Sequence, residues 1–230
     1  MNSHSVPPVT TPRSTARLSA ATAPARRRAA AASGLRPAQD KRERILTAAT
    51  KTFARRGFFN AQVADVARAA GVASGTVYLY FRSKDDLIVS IFERTMQSAI
   101  AEGRAALDGL HPEASLRRIA RLHLERLGAD RDLAVVFQVE LRGTTKFMER
   151  FSATYVREYL GILRDVIADG QARRVFRAGI SPTLVAKALF GALDEMATNW
   201  VLSPRTYDLA ADADPIVDLI LNGVRTGQRA

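Results

Sequence analysis

Residues 71–84 read Gly71-Val72-Ala73-Ser74-Gly75-Thr76-Val77-Tyr78-Leu79-Tyr80-Phe81-Arg82-Ser83-Lys84, and this stretch decides the fold. Gly71 permits a tight turn, and the pattern predicts a short helix from Ser74 to about Tyr80 with Ser74 as its N-cap. Val77 and Phe81, four apart, face a core, while Thr76 and Tyr80 share the opposite face. Gly75 lets another backbone come close. The hydroxyls of Thr76, Tyr78 and Tyr80 suit phosphate oxygens, and the tyrosine rings suit thymine methyls. Lys84 can reach a phosphate flank, and Gln62, Ser74, Gly75 and Leu79 lie nearer a groove edge. Small, hydroxylated and aromatic residues on one short helix are the chemistry of a DNA reader. No arginine on this helix is placed for a bidentate guanine contact, so a few base contacts and DNA shape share the specificity.

Upstream, Val63, Val66, Ala67 and Ala70 give one apolar face to a helix over about Gln62–Ala70. Ile45, Leu46, Ala49 and Phe53 do the same for a helix over about Gln39–Arg56, which Gly57 ends as a C-cap. Three short helices with a glycine turn before the last make a helix-turn-helix. Downstream, Ser83 caps a long helix reaching about Leu107, with Asp85 and Asp86 at its positive end. Helical patterns follow at Glu113–Leu127, Arg131–Arg142, Lys146–Gln171, Pro182–Leu202 and Pro215–Thr226, with Pro112, Pro182 and Pro215 in first turns. No segment alternates with period two, so the expected class is all-α. It divides into a basic tail (1–37, read as disordered), a helix-turn-helix domain (38–83) and a helical ligand-binding and dimerisation domain (84–230).

The block D-V-A-R-A-A-G-V-A-S-G-T-V-Y-L-Y-F-R-S-K-D-D-L, ending at Leu87, resembles the DNA-binding signature of the TetR family. The family implies a dimer that reads a near-palindromic operator in double-stranded DNA and releases it on binding a small effector. One departure touches a phosphate contact: Ala61 and Gln62 stand where Ser or Thr often begins the second helix, leaving Asn60 or Gln62 for that role. The resemblance continues into the C-terminal half. Residues 132–142 (D-L-A-V-V-F-Q-V-E-L-R), residues 189–202 (L-F-G-A-L-D-E-M-A-T-N-W-V-L), then Tyr207 to Leu209 and Ile216 to Val224, are similar to FadR-type fatty-acid-degradation regulators. That subgroup implies a long-chain acyl-coenzyme A as inducer and β-oxidation genes as targets, over about residues 40–226.

The residues permit such a ligand. Phe147, Phe151, Tyr155 and Tyr159 recur every four residues, Phe137 and Leu141 are four apart, and so are Phe92 and Met96. Phe190 and Trp200, within the second similar segment, join this candidate set. Plain core packing is the competing reading of each aromatic. Arg104, Arg117, Arg118, Arg121 and Arg157 are available to coenzyme A phosphates. Glu140, Asp194 and Glu195 lie in apolar runs and read either as pocket polar groups or as interhelical or intersubunit ion pairs. The last two helices are apolar on more than one face, which points to a homodimer interface.

The formal net charge of +11, with a pI near 10.7, favours a polyanionic partner. About half of it is tail: residues 1–39 hold six arginines and no carboxylate, leaving 28 basic against 23 acidic residues elsewhere. Arg26, Arg27 and Arg28 suit a DNA-grasping arm, and an arginine-rich start also has the look of an organellar transit peptide. There are no cysteines, which removes disulfides, thiol catalysis and cysteine zinc sites. No apolar run reaches roughly 18 residues, so no membrane partner is expected and a cytoplasmic protein is. Phosphate-binding glycine loops, H-E-x-x-H and G-x-S-x-G are missing, and His4, His111 and His123 share no metal spacing, so no cofactor, metal or catalytic residue is expected. A repressor sensing a drug and an acyl-thioester enzyme are the rival functions. Inducer is expected to act by moving the helix after Ser83, which joins reading head to body.

Overall fold

A computed structural model describes residues 1, 23–143 and 152–224, with backbone alone at 23–38, 152–153 and 224. The chain divides into two compact units, residues 1–41 and 42–230. The first helix, α1 (Ala23–Arg56), begins earlier than Gln39. Its opening turns lie in the stretch read as tail, where Ala-rich sequence is a strong helix former even without an apolar face. From Arg42 onward the reading head follows: α2 (Val63–Ala70) and α3 (Ser74–Tyr80). Gly57 and Gly71 take positive φ, 77° and 66°, as the two turns require. Side chains from α1 (Ile45, Leu46, Phe53), α2 (Val66) and α3 (Val77, with Phe81 just beyond) form one buried core.

Helix α4 (Lys84–Ala105) starts as expected: Ser83 Oγ accepts from the Asp86 N–H at 3.0 Å, and Asp86 reaches back to the Arg82 N–H at 2.8 Å. The body continues with α5 (Pro112–Ala129), α6 (Arg131–Val135), α7 (Arg157–Ala172), α8 (Pro182–Leu202) and α9 (Ala213–Val224), the last preceded by a 3₁₀ turn over Leu209–Asp212. Pro112 and Pro182 open their helices. Among the described residues no strand element occurs.

Two predicted helices come out differently. The α6 segment widens after Val135 into a π-helical turn over Val136–Glu140, and a second π turn, Ser152–Val156, precedes α7. Residues 144–151 lie between them, outside the described residues. Such wide turns cluster at functional sites because they redirect side chains without ending a helix. The body has its own core, built on Leu116, Leu124, Leu163, Ile167, Phe176, Leu189 and Leu193. Met96, Phe137 and Tyr155 pack against both cores, so these residues physically join head and body.

Candidate functional site

Helix α3 turns a mostly polar face outward. Ser74 and Gly75 are exposed, Tyr78 and Leu79 retain 56% and 82% of their accessible surface, and Thr76 and Tyr80 are half-buried at the edge of that face. Val77 and Phe81 are buried, as their spacing requires. Ser74 is not the cap: it is the first helical residue, Ala73 holds the N-cap position, and no side chain caps the helix. The first turn closes instead with the Thr76 N–H on the Ala73 carbonyl at 2.9 Å. Exposed Gln62 occupies the N-cap position of α2. Asp65 accepts from its backbone N–H at 3.2 Å, and that bond, with Arg56 and Arg68 beside it, holds the carboxyl below the usual range.

Lys84 points inward rather than at a flank. Its Nζ donates to the carbonyls of Phe59 and Ala61, both at 3.0 Å, and sits 4.7 Å from the centre of the Phe58 ring. The lysine therefore ties α4 to the turn between α1 and α2. Three arginines of α1 are also engaged within the fold. Arg44 donates to the Ala70 carbonyl at 2.9 Å, Arg42 lies over the Phe81 ring at 5.1 Å, and Arg55 is 4.0 Å from Asp132. The same α1–α2 turn is gripped from the body: Glu140 Oε2 accepts from the Phe58 N–H at 2.6 Å. A glutamate that reads from sequence as a pocket group or salt bridge is a latch across 82 positions of chain.

Behind the latch lies a cavity of about 290 Å³, walled by α4, α5, the segment after α6, α7 and α8. Phe92, Met96, Phe137, Leu141, Tyr159 and Phe190 line it, six of the residues expected to do so. The other four stand elsewhere or beyond description. Tyr155 packs edge-on against Phe92 at 6.0 Å, with its hydroxyl accepting from Gln97 at 3.0 Å. The wide turn that ends at Val156 breaks the four-residue register, so Val156 takes the wall position beside Tyr159. Phe147 and Phe151 lie outside the described residues. Trp200 is a core residue: its Nε1 donates to the Tyr207 carbonyl at 2.9 Å, and Arg131 covers its ring at 4.8 Å. Ten residues past Phe190 is roughly a quarter-turn off that side chain's face.

Of the polar part of the wall, sequence pointed to Asp194 and not to Gln138, Arg142, Arg126 or Glu102. Gln138 is buried and donates to Asp194 at 3.1 Å, and its carbonyl accepts from Arg142 at 2.7 Å and from Thr198 at 3.0 Å. Arg142 also pairs with Asp194, so that carboxylate is an interhelical ion pair. Exposed Glu195 bonds Asn199 one turn on. Arg126 pairs with Glu102 on the opposite wall. Of the arginines suggested for phosphates, Arg117 bonds Asp218 at 2.5 Å and Arg121 bonds Asp214, tying α5 to α9, while Arg104 bonds Glu158 at 2.9 Å.

His123 is the one histidine on the cavity wall. Its ring borders the cavity, so the residue is only half-buried, yet Nε2 has almost no accessible surface and no partner. Nδ1 meets the Tyr159 hydroxyl at 3.1 Å. Burial pushes the imidazole down from 6.5 to about 4, Asp194 opposing and Arg126 adding to the fall. The unfolded chain thus takes up a proton near pH 6.5 and the folded one only near 4. The contribution is whole above pH 6.5 and is lost as pH falls toward 4, by on the order of 3 kcal/mol. His123→Phe is expected to flatten the decline of melting temperature between pH 6.5 and 4.5. An equally steep decline in the variant would assign it to other groups.

Residues 45–91 match the family described as bacterial regulatory proteins, tetR family, and residues 92–223 match the YsiA-like protein, C-terminal region. The fatty acid metabolism regulator protein of Bacillus subtilis (strain 168) is 30% identical over 181 residues, which cover 78% of this chain and 93% of that one. The structure of the fatty acid degradation regulator FadR from Bacillus halodurans superposes with a TM-score of 0.74 at 34% identity, over 80% of this chain and 99% of its own. That of FadR from Bacillus subtilis in complex with stearoyl-CoA gives 0.75 at 30%, with the same shares covered. Among the described residues no helix is long and apolar enough to cross a membrane, and no cluster of three metal-binding side chains occurs. An exposed reading helix, a cavity spanning the join of head and body, and these matches along the described body identify the chain as a member of the tetR family of bacterial regulatory proteins, with a YsiA-like C-terminal region.

Proposed function

We propose that this protein is a cytoplasmic, homodimeric repressor of fatty-acid-degradation genes that leaves its operator when a long-chain acyl-coenzyme A enters the cavity. The observation that carries this reading is the cavity's position. Its wall is largely apolar, and it takes Phe92 and Leu141 from the core of the reading head and Ile119, Tyr159 and Phe190 from the body. A volume of about 290 Å³ is near the lower end for ligand pockets, so a long acyl chain has to push the walls apart. A ligand that must spread its walls favours one conformation over another, which is what release requires. The relatives named for fatty acid control, one of them in complex with stearoyl-CoA, support the same ligand class.

On the DNA side, Thr76, Tyr78 and Tyr80 hold phosphates, and Gln62, Ser74, Gly75 and Leu79 face the groove. Lys84 acts by fixing the α1–α2 turn beside them. Leu184, Leu202 and Leu219 keep 62%, 68% and 74% of their surface on α8 and α9, while Val185, Leu189 and Val217 of the same helices are buried. Helices apolar on two faces support a second copy packed there. On this reading the protein acts by binding rather than by turnover. Its purified dimer on fluorescent DNA from its own upstream region, titrated with stearoyl-coenzyme A, is the direct test. Release at micromolar or lower thioester is expected, with free coenzyme A inert. Tight DNA binding that ignores the thioester would overturn the effector and redirect the search to drugs and other apolar compounds.

Two routes connect cavity and reading helix. One is α4, which lines the cavity with Phe92, Thr95 and Met96 and is separated from the end of α3 by three residues. The other is the π turn over Val136–Glu140: Phe137 and Gln138 face the ligand, and Glu140 holds the Phe58 N–H. Glu140→Ala is expected to leave thioester affinity within about twofold and to lower stability by about 1–3 kcal/mol. Ligand-induced loss of DNA affinity should shrink at least about threefold. Calorimetry for the ligand and anisotropy for DNA separate these effects, and undiminished release would restrict coupling to α4.

A further inference from the structure

Nearly all the polar chemistry of the cavity wall is consumed by the protein. Arg126 is neutralised by Glu102 and Arg142 by Asp194, and Gln138 spends its amide on Asp194, Arg142 and Thr198. Thr95 returns its hydroxyl to the Ile91 carbonyl at 2.8 Å. Among the described residues, the buried side-chain atom left without a partner is Nε2 of His123. Buried polar atoms are rarely left so, because the hydrogen bond to water has been given up for nothing. Where one persists in the wall of a ligand cavity, a ligand atom is the natural partner once the acyl chain has pushed the walls apart, since Nε2 has almost no surface open to the cavity before that.

The bond on the other side of the ring decides what Nε2 offers. The Tyr159 hydroxyl is buried with Nδ1 of His123 as its partner at 3.1 Å, and burial pushes its own ionisation up, so it keeps its proton. A phenol is a better donor than acceptor, and the bare nitrogen of a neutral imidazole is the better acceptor. Tyr159 therefore donates to Nδ1, which leaves the hydrogen on Nε2. Phe190 stands edge-to-face against the ring at 5.9 Å and restricts its swing. The site is thus a fixed, uncharged N–H donor in an apolar surround.

We propose that the His123 Nε2–H donates to the carbonyl oxygen of an acyl thioester and is the group by which the cavity tells a thioester from the same chain without a carbonyl. This rests on the acyl-coenzyme A reading above and gives it a chemical basis for selectivity. A free fatty acid would bring a carboxylate to a wall whose two arginines already have carboxylates of their own. The imidazole is held uncharged as well and cannot stand in for them. A thioester carbonyl is a neutral acceptor and needs no counter-ion.

The test compares stearoyl-coenzyme A with S-octadecyl-coenzyme A, a thioether in which a methylene replaces the carbonyl, by calorimetry on the full-length dimer. The wild type is expected to hold the thioester about tenfold more tightly than the thioether, and stearate no better than the thioether. His123→Phe should bind both coenzyme A compounds alike, at the thioether's wild-type level. Equal wild-type affinities for thioester and thioether, both releasing DNA, would overturn the role of His123 and leave the acyl-coenzyme A effector standing. Binding of neither would overturn both. The ¹⁵N imidazole spectrum of the wild type checks the donor without any variant, since a hydrogen found on Nδ1 would also overturn it. Tyr159→Phe, which keeps the ring and frees the tautomer, should lower the thioester preference about threefold, and an unchanged preference would count against the proposal.

Discussion

Gly75→Glu is expected to abolish operator binding, by about 100-fold or more, while leaving the fold intact. Gly75 lies in the first turn of α3, is exposed, and has no atom within 4 Å of where a Cβ would stand. Its backbone is ordinary helix, so replacing glycine there removes an entropic cost rather than adding strain. Stability should therefore be unchanged or slightly raised. The proposed DNA face is different, because there the groove edge would come close to that backbone and a carboxylate would meet phosphates. Opposed like charges cost several kcal/mol, and every 1.4 kcal/mol or so is tenfold in affinity. The proposed twofold dimer would suffer the penalty in both half-sites. Anisotropy on operator DNA measures the loss, and melting together with thioester titration shows that the body is untouched. Undiminished DNA affinity would remove this helix face from the interface.

Gly170→Ala is expected to cost stability heavily at a buried position that lines neither the cavity nor the exposed face of α3. A Cβ on Gly170 would stand 2.1 Å from Cδ2 and 2.3 Å from Cε2 of Phe176, closer than atoms can pack. The ring has little room to retreat: Phe176 is 1% exposed inside the body's core. Its backbone is pinned too, because the N–H groups of Val175 and Phe176 both donate to the Gly170 carbonyl, at 2.9 and 3.0 Å. Arg174, at φ 60°, already carries the left-handed residue of this turn. Overpacking of this kind costs about 3 kcal/mol. For a chain of this size that is roughly 6–12 °C in melting temperature, compared at equal protomer concentration. Phe176→Leu in the same background should recover part of the loss, because the two positions share one contact. An unchanged melting temperature would mean that the ring can swing away.

The division between what was legible and what was not follows the range of the interactions. The reading head is written in short-range signals. Gly57 and Gly71 end helices because only a left-handed residue closes those turns, Ser83 caps α4 through a bond to its third neighbour, and Val77 and Phe81 share a face because they are one turn apart. Pro112 and Pro182 open helices because proline tolerates a first turn and little else. All-α architecture, the helix-turn-helix, and the wall residues Phe92, Met96, Phe137, Leu141 and Tyr159 follow from such periodicities, while Phe190 came from the resemblance of its segment.

What sequence did not reveal depends on partners that the chain brings together from afar. Lys84 reads as a surface cation until the carbonyls of Phe59 and Ala61 are placed against it. Trp200 looks like a ligand residue until the Tyr207 carbonyl takes its N–H. Glu140 becomes a latch only because the α6 segment, widened into a π turn, lies against the α1–α2 turn. Gln138, Arg142 and Asp194 satisfy one another only once α8 packs beside that segment, and the His123 ring is oriented, with Nε2 left without a partner, only once Tyr159 of α7 meets Nδ1. Sequence by itself determined the all-α class, the reading head and much of the cavity's apolar lining, since each rests on residues within a turn or two of one another. Tertiary structure alone decided which polar groups are satisfied, which remain for a ligand, and how the cavity holds the reading head, because those are bonds between side chains and backbone tens of residues apart.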